Sequence, residues 1–231
     1  MPLKDELEAE VAEIFRERWE LRDGQVVPDP EDLKLGNDGV RLDATILYAD
    51  MTQSTKLVDT YKDHFAAEVY KTFLTCAARI IKASGGAITS YDGDRVMAVY
   101  HGGSKNSSAA KTALKINYAM AKIIRPKLTA QYPKVTYVPG HAVGIDTSTI
   151  MASRIGVKND NDIVWVGRAA NHAAKLCDLR VDGISSWITA DVFKMLSAET
   201  KKTNGADMWK KYSWTQMDGA EIYGSTWTWE P

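Results

Sequence analysis

Two aspartates stand where a folded chain could hold metal ions. Asp50 ends the apolar run Ala44-Thr45-Ile46-Leu47-Tyr48-Ala49, and Asp94 follows Asp92-Gly93 at the head of Arg95-Val96-Met97-Ala98-Val99-Tyr100. The first pattern is a strand that delivers a carboxylate to the start of a helix; the second is a hairpin whose turn places another. Each also has an ordinary structural explanation, because an Asp after a strand is commonly a helix cap and Asp-Gly is a common hairpin turn. Taken together, two carboxylates on adjacent strand ends are the smallest protein framework for two divalent ions about 3.5–4 Å apart, which activate a hydroxyl and stabilise a leaving pyrophosphate. Phosphoryl transfer needs charge neutralisation and in-line positioning more than it needs a covalent group. The segment Met51-Thr52-Gln53-Ser54-Thr55 would open the next helix, whose unpaired N–H groups can receive β- and γ-phosphates. Thr52, Ser54 and Thr55 would otherwise act as plain hydroxyl caps.

A third pattern is Val164-Trp165-Val166-Gly167-Arg168-Ala169-Ala170-Asn171-His172-Ala173-Ala174-Lys175. It reads as a strand, a glycine turn and a helix of small residues. Asn171 and Lys175 are four apart and share a face. An amide and a cation so placed can orient a ribose and stabilise charge at phosphorus. The alternative is an exposed polar stripe.

The elements that must position these groups follow from periodicity. Residues 3–22 carry Leu7, Val11, Ile14, Phe15 and Trp19 near helical spacing among many charges, an amphipathic helix for the domain or a partner subunit. Pro28-Asp29-Pro30 breaks the chain, so residues 1–40 are expected as helix and loop and 41–231 as the catalytic domain. Within the latter the pattern predicts a strand over 42–49, a helix over 57–83 ended by Ser84-Gly85-Gly86, and a hairpin of 87–91 with 95–101. It continues with a helix over 107–130, strands over 135–146 and 161–166, and a helix over 168–179. A strand at 184–188, a short helix at 190–197 and Trp-rich edge strands close the chain. The order β-α-β-β-α-β, with helices over one face of an antiparallel sheet, is an α+β ferredoxin-like palm.

Composition narrows the partners. A formal net charge of −1 over 231 residues gives no general pull toward nucleic acid or anionic membrane. Cys76 and Cys177 read as buried free thiols, and the start of the chain does not read as a signal peptide, so the expected setting is the cytoplasm.

The three segments, in this order, resemble the signature blocks of the class III nucleotidyl cyclases: a strand ending in the first metal aspartate, a Gly-Asp hairpin with the second, and a Gly-x-x-x-Asn-x-x-x-Arg helix. The resemblance spans roughly residues 42–230. It implies a head-to-tail homodimer with composite sites at the subunit interface. Asp50, the backbone carbonyl of Met51 and Asp94 would bind two Mn²⁺ or Mg²⁺ ions, and Asn171 would orient the ribose from the other subunit. The implied reaction is attack of a nucleoside triphosphate's ribose 3′-hydroxyl on its α-phosphate, with release of pyrophosphate.

Departures from the family pattern bear on the substrate. The transition-state arginine position holds Lys175, which keeps the charge and loses the planar fork. The two base-selecting positions hold Ser90 and, by one count, Val164 or, by another, Ile163, so neither the adenine pair nor the guanine pair is present. Bulky Tyr48, Tyr91 and Trp165 lie close by in sequence and would narrow a base site that they face. With the segment Pro28-Asp29-Pro30-Glu31-Asp32-Leu33, this resembles the pyrimidine cyclases of bacterial Pycsar anti-phage systems, whose cyclic UMP or cyclic CMP acts on a separate effector protein. UTP is favoured over CTP. A phosphate contact made by arginine in many relatives falls near Lys158, and the usual lysine of the last hairpin has no counterpart around Met217-Asp218-Gly219. A purine cyclase with an unusual base pocket and an inactive nucleotide-binding module are the rival readings.

Overall fold

A computed structural model describes residues 2–181 and 183–231; Met1 and Asp182 lie outside the described residues. The chain begins with α1 (Leu3–Arg16), β1 (Glu20–Asp23), β2 (Asp38–Thr52), α2 (Ser54–Thr60) and α3 (Asp63–Ala83). The hairpin β3 (Ala87–Asp92) and β4 (Arg95–His101) follows, then α4 (Lys105–Tyr118) and α5 (Arg125–Gln131). Next come β5 (Gly140–Val157), β6 (Asp160–Val166), α6 (Arg168–Cys177), β7 (Ser186–Thr189), α7 (Ala190–Met195) and α8 (Ala198–Lys201). The short pair β8 (Lys202–Thr203) and β9 (Ala206–Asp207) precedes β10 (Lys210–Trp214) and β11 (Ala220–Ser225).

One sheet runs β10-β11-β7-β5-β2-β4-β3, and within it β5-β2-β4-β3 is the antiparallel four-stranded palm that the order of elements predicts. β2 is central and buried on both faces, which is why its apolar run is nearly continuous. Leu47, Ala49 and Met51 join the core beneath α3 and α4, where α3 contributes Phe65, Val69, Phe73 and Ala77 at helical spacing. Val40, Leu42, Ala44 and Ile46 face the opposite layer, covered by Ala169, Ala170 and Ala173 of α6. The palm's own helices therefore share one face, and α6, which follows them, seals the other.

Several boundaries differ from the periodicity, each for a physical reason. The helix expected over 57–83 is two, because Tyr61 and Lys62 adopt extended backbone between α2 and α3, letting Leu57 and Phe65 reach the same core. The helix expected over 107–130 runs from Lys105 to Gln131, with a π-helical stretch at Ala119–Ile124 just before Pro126, which has no N–H to continue the regular ladder. β5 starts after Pro139 rather than at 135, since proline cannot donate to a ladder, and continues through Thr147-Ser148-Thr149 to Val157. α1 ends at Arg16, and none of its residues is buried. The chain then adds β1, which pairs in parallel with β2 and is moored by an Arg22–Asp38 ion pair and by the Asn37 amide donating to Ile14 O and Glu17 O, each at 2.8 Å. At the tail, β10 is an edge and β11 lies inside it. Cys177 is buried and Cys76 is half-buried; both are free. No helix among the described residues is long and apolar enough to cross a membrane.

Candidate active site

Asp50 is the last residue of β2 flanked by strands on both sides, opposite Arg95 on β4 and Ala142 on β5. Past it only β5 continues, through Met51↔His141 and Thr52↔Gly140. Gln53 then takes a left-handed φ of 60°, a conformation that costs a non-glycine residue roughly 1–2 kcal/mol and that turns the strand directly into α2. Gln53 occupies the N-cap with no side-chain capping bond, so Thr52, Ser54 and Thr55 flank the cap position rather than fill it. Ser54 instead meets the Tyr70 hydroxyl of α3. Thr52 Oγ1 lies against Gly140, where an added Cβ would stand 2.3 Å from it.

Asp94 sits in the β3–β4 turn, and its Oδ2 is buried without a hydrogen-bond partner among the described residues. Asp50 is 8% exposed. Burial pushes its carboxyl above the usual range; the Arg95 guanidinium opposes this, and the charge of Asp94 adds to it. Two neighbouring carboxylates, one with an orphaned buried oxygen, form a hard-oxygen donor set of the kind that Mg²⁺ and Mn²⁺ take. Among the described residues no group of three or more His, Cys, Asp or Glu side chains offers another metal site.

The residues around this pair include several that the sequence reading passed over. Arg95 Nη2 donates to Asp50 Oδ2 at 3.0 Å and to Asp178 Oδ1 at 2.9 Å, and its guanidinium stands 5.8 Å from the centre of the Tyr48 ring. Tyr137 Oη is buried and unpartnered among the described residues, and its hydroxyl is pushed up to about 12, first by burial and then by the charges of Tyr70 and Asp94. Arg95 follows Asp94 in sequence, and the β2–β4 register places it opposite Asp50.

Register also sorts the base-site candidates. Ser90, Met97, Tyr48, Gly144 and Trp187 form one row across β3, β4, β2, β5 and β7, two residues from the row that holds Asp50. Alternation puts Ser90 and Tyr48 on the same face as Asp50. A bulge between Ile88 and Ser90 sets this phase. Tyr91 pairs with Val96 on the opposite face and is 55% exposed. On β6, Ile163 and Trp165 pack into the α6-side core beside Tyr48, whereas Val164 points outward. Of the two counts along β6, Ile163 is the one that shares the face of Ser90.

α6, with Gly167 at its N-cap, closely approaches β5: a Cβ on Gly144 would meet Ala173 O at 2.1 Å and Cys177 N at 2.4 Å. Its inner end is tied down by Asp146, fully buried, which accepts from Thr189 Oγ1 at 2.6 Å and pairs with Arg168 Nε at 3.2 Å. Asn171 and Lys175 remain exposed on the outer stripe, with Lys175 Nζ 3.8 Å from Met217 Sδ. Asp178 continues that stripe by one turn and is the residue that reaches Arg95. Lys158 lies in the β5–β6 turn, at the far end of β5 from Ala142, so one chain does not bring it to Asp50.

No family model matches the chain. It is 47% identical over 230 residues to a uridylate cyclase of Xanthomonas perforans, covering 99% of each chain. It is 49% identical over 231 residues to a uridylate cyclase of Burkholderia cepacia, again covering 99% of each. Among solved structures, a bacterial light-regulated adenylyl cyclase matches with a TM-score of 0.70 at 21% identity, over 83% of this chain and 53% of that one. That last likeness concerns the fold.

Proposed function

The chain belongs to the uridylate cyclase family, a pyrimidine nucleotide cyclase with a class III cyclase fold, and from this we propose that it converts UTP to 3′,5′-cyclic UMP and pyrophosphate. The observation that carries the reading is the full-length identity to uridylate cyclases, joined to the orphaned Asp94 oxygen beside Asp50. Asp50, Asp94 and the Met51 carbonyl would hold two Mg²⁺ or Mn²⁺ ions, which when bound supply a lowered pKa for the 3′-hydroxyl and neutralisation of the triphosphate. Thr52, Ser54 and Thr55, beside the cap position, and the N–H groups that open α2 face the phosphates. Ser90, with Tyr48 and Ile163 on the same face, borders the uracil, a single ring that suits a row crowded by tyrosine.

The exposed Asn171 and Lys175 serve the site of a second protomer, Asn171 orienting the ribose and Lys175 meeting charge at the α-phosphorus; Lys158 likewise contacts phosphate across the dimer. The protein works in the cytoplasm as a homodimer, and its product is a messenger for a separate effector in anti-phage defence. The test is incubation with each of the four α-labelled ribonucleotides and Mn²⁺, with products resolved after phosphatase treatment. A phosphatase-resistant product from UTP is expected. Product from CTP alone moves the base assignment to cytosine, product from ATP or GTP refutes the pyrimidine reading, and none from any favours a binding module.

A further inference from the structure

Arg95 joins the Asp50 carboxylate to Asp178, which caps the C-terminus of α6. A single nitrogen, Nη2, serves two acceptors, Asp50 Oδ2 at 3.0 Å and Asp178 Oδ1 at 2.9 Å. The two carboxylates differ in setting: the Asp50 side chain is 11% exposed and that of Asp178 is 60% exposed. The inner bond is thus made in a drier place, where a carboxylate without a cation is costly. Asp94, which adds to the negative charge felt by Asp50, keeps its buried Oδ2 without a hydrogen-bond partner among the described residues. The guanidinium therefore compensates one of the two carboxylates, whereas a divalent ion would engage both.

We propose that Arg95 is the resident counter-cation of the metal site, holding Asp50 when no divalent ion is present and passing to Asp178 alone when one binds. This rests on the proposed metal role of Asp50 and Asp94. The exchange needs little motion, because the same nitrogen already touches its second acceptor and the Tyr48 ring, 5.8 Å from the guanidinium carbon, borders the space on one side. Arg95 also repels an incoming cation by like charge, so it sets the metal affinity against the need to keep a buried carboxylate compensated. Among the described residues the second cation that acts on Asp50 is Arg180, which donates to Cys177 O at 2.6 Å and forms no ion pair with Asp50. It is no substitute for Arg95.

The experiment is isothermal titration of Mn²⁺ into the nucleotide-free full chain, alongside thermal unfolding with and without Mn²⁺. Arg95→Gln is expected to bind Mn²⁺ about tenfold more tightly, about 1.4 kcal/mol, to unfold at a lower temperature without metal, and to gain more from its addition. Asp178→Asn should do the opposite and weaken Mn²⁺ binding about threefold, because Arg95 is then left with Asp50 alone. If Arg95→Gln does not fold, the sign of the Asp178→Asn change decides. Unchanged or weaker binding by Arg95→Gln, or tighter binding by Asp178→Asn, overturns the role of Arg95. Asp50→Asn and Asp94→Asn separate this from failure of the underlying site: if both bind Mn²⁺ like the parent protein, the metal assignment falls and the Arg95 proposal falls with it.

Discussion

Replacing Gly144 by alanine tests how α6 is held, and with it the reading of Asn171 and Lys175. Gly144 lies in the middle of β5, between Tyr48 of β2 and Trp187 of β7. An added Cβ would stand 2.1 Å from Ala173 O, about 1.3 Å inside ordinary contact at 3.4 Å, and 2.4 Å from Cys177 N. Both obstacles are α6 backbone, so no side-chain rotation relieves them. The helix must lift, while Arg168 and Asp146 hold its first turn. Overpacking of this kind costs about 2 kcal/mol, or a fall of about 6 °C in Tm for a chain of this size. A lift of about an ångström under groups that position substrate should lower kcat by roughly a hundredfold, with a smaller change in KM for UTP. Unfolding followed by fluorescence and cyclisation of labelled UTP on the same samples give both numbers. A variant with unchanged Tm and full kcat would refute the close approach. Lost stability with full activity would show that α6 does not place the reacting groups.

Three other outcomes are expected. Asp146→Asn leaves Arg168 with Asp191 as its carboxylate partner and alters the bond from Thr189, so unfolding experiments should show a loss of about 1.5 kcal/mol. Mixing Asp50→Ala with Asn171→Ala protein should restore activity, to about a quarter of the parent's for random exchange, since half the dimers carry one intact site; no rescue despite proven exchange would place each site within one chain. His141 is fully buried in contact with the Phe73 ring, and burial, aided by the charge of Arg125, lowers its pKa from 6.5 to about 3. Its folded value lies below the unfolded one, so its contribution is complete above about pH 6.5 and is lost as pH falls toward about 3. Denaturant unfolding should show about 2 kcal/mol less stability at pH 5 than at pH 8 from this group, a slope that His141→Leu removes.

Much of this protein is written locally. The two-faced apolar run of β2, the Asp-Gly turn and the four-residue spacing of Asn171 and Lys175 are patterns within short windows, and they marked the palm strands, the hairpin and α6 before any contact was known. Glycine and proline punctuation did the same for the end of α3, while Pro126 and Pro139 displaced boundaries through the N–H they lack. Which side chains meet across strands was not legible. Arg95 faces Asp50 because of the β2–β4 register, and Ser90 and Tyr91 fall on opposite faces in a phase set by the bulge beside Thr89. Asp178 joins the site because α6 lies on the face opposite α3, and β1 joins the sheet from a stretch that reads as the end of an amphipathic helix. Periodicity is a property of consecutive residues, so sequence alone determines which elements form and which residue types they can present. Register and layer order arise only when distant segments compete for the same hydrogen bonds and buried surface, so the partners of each carboxylate were decided by the tertiary structure.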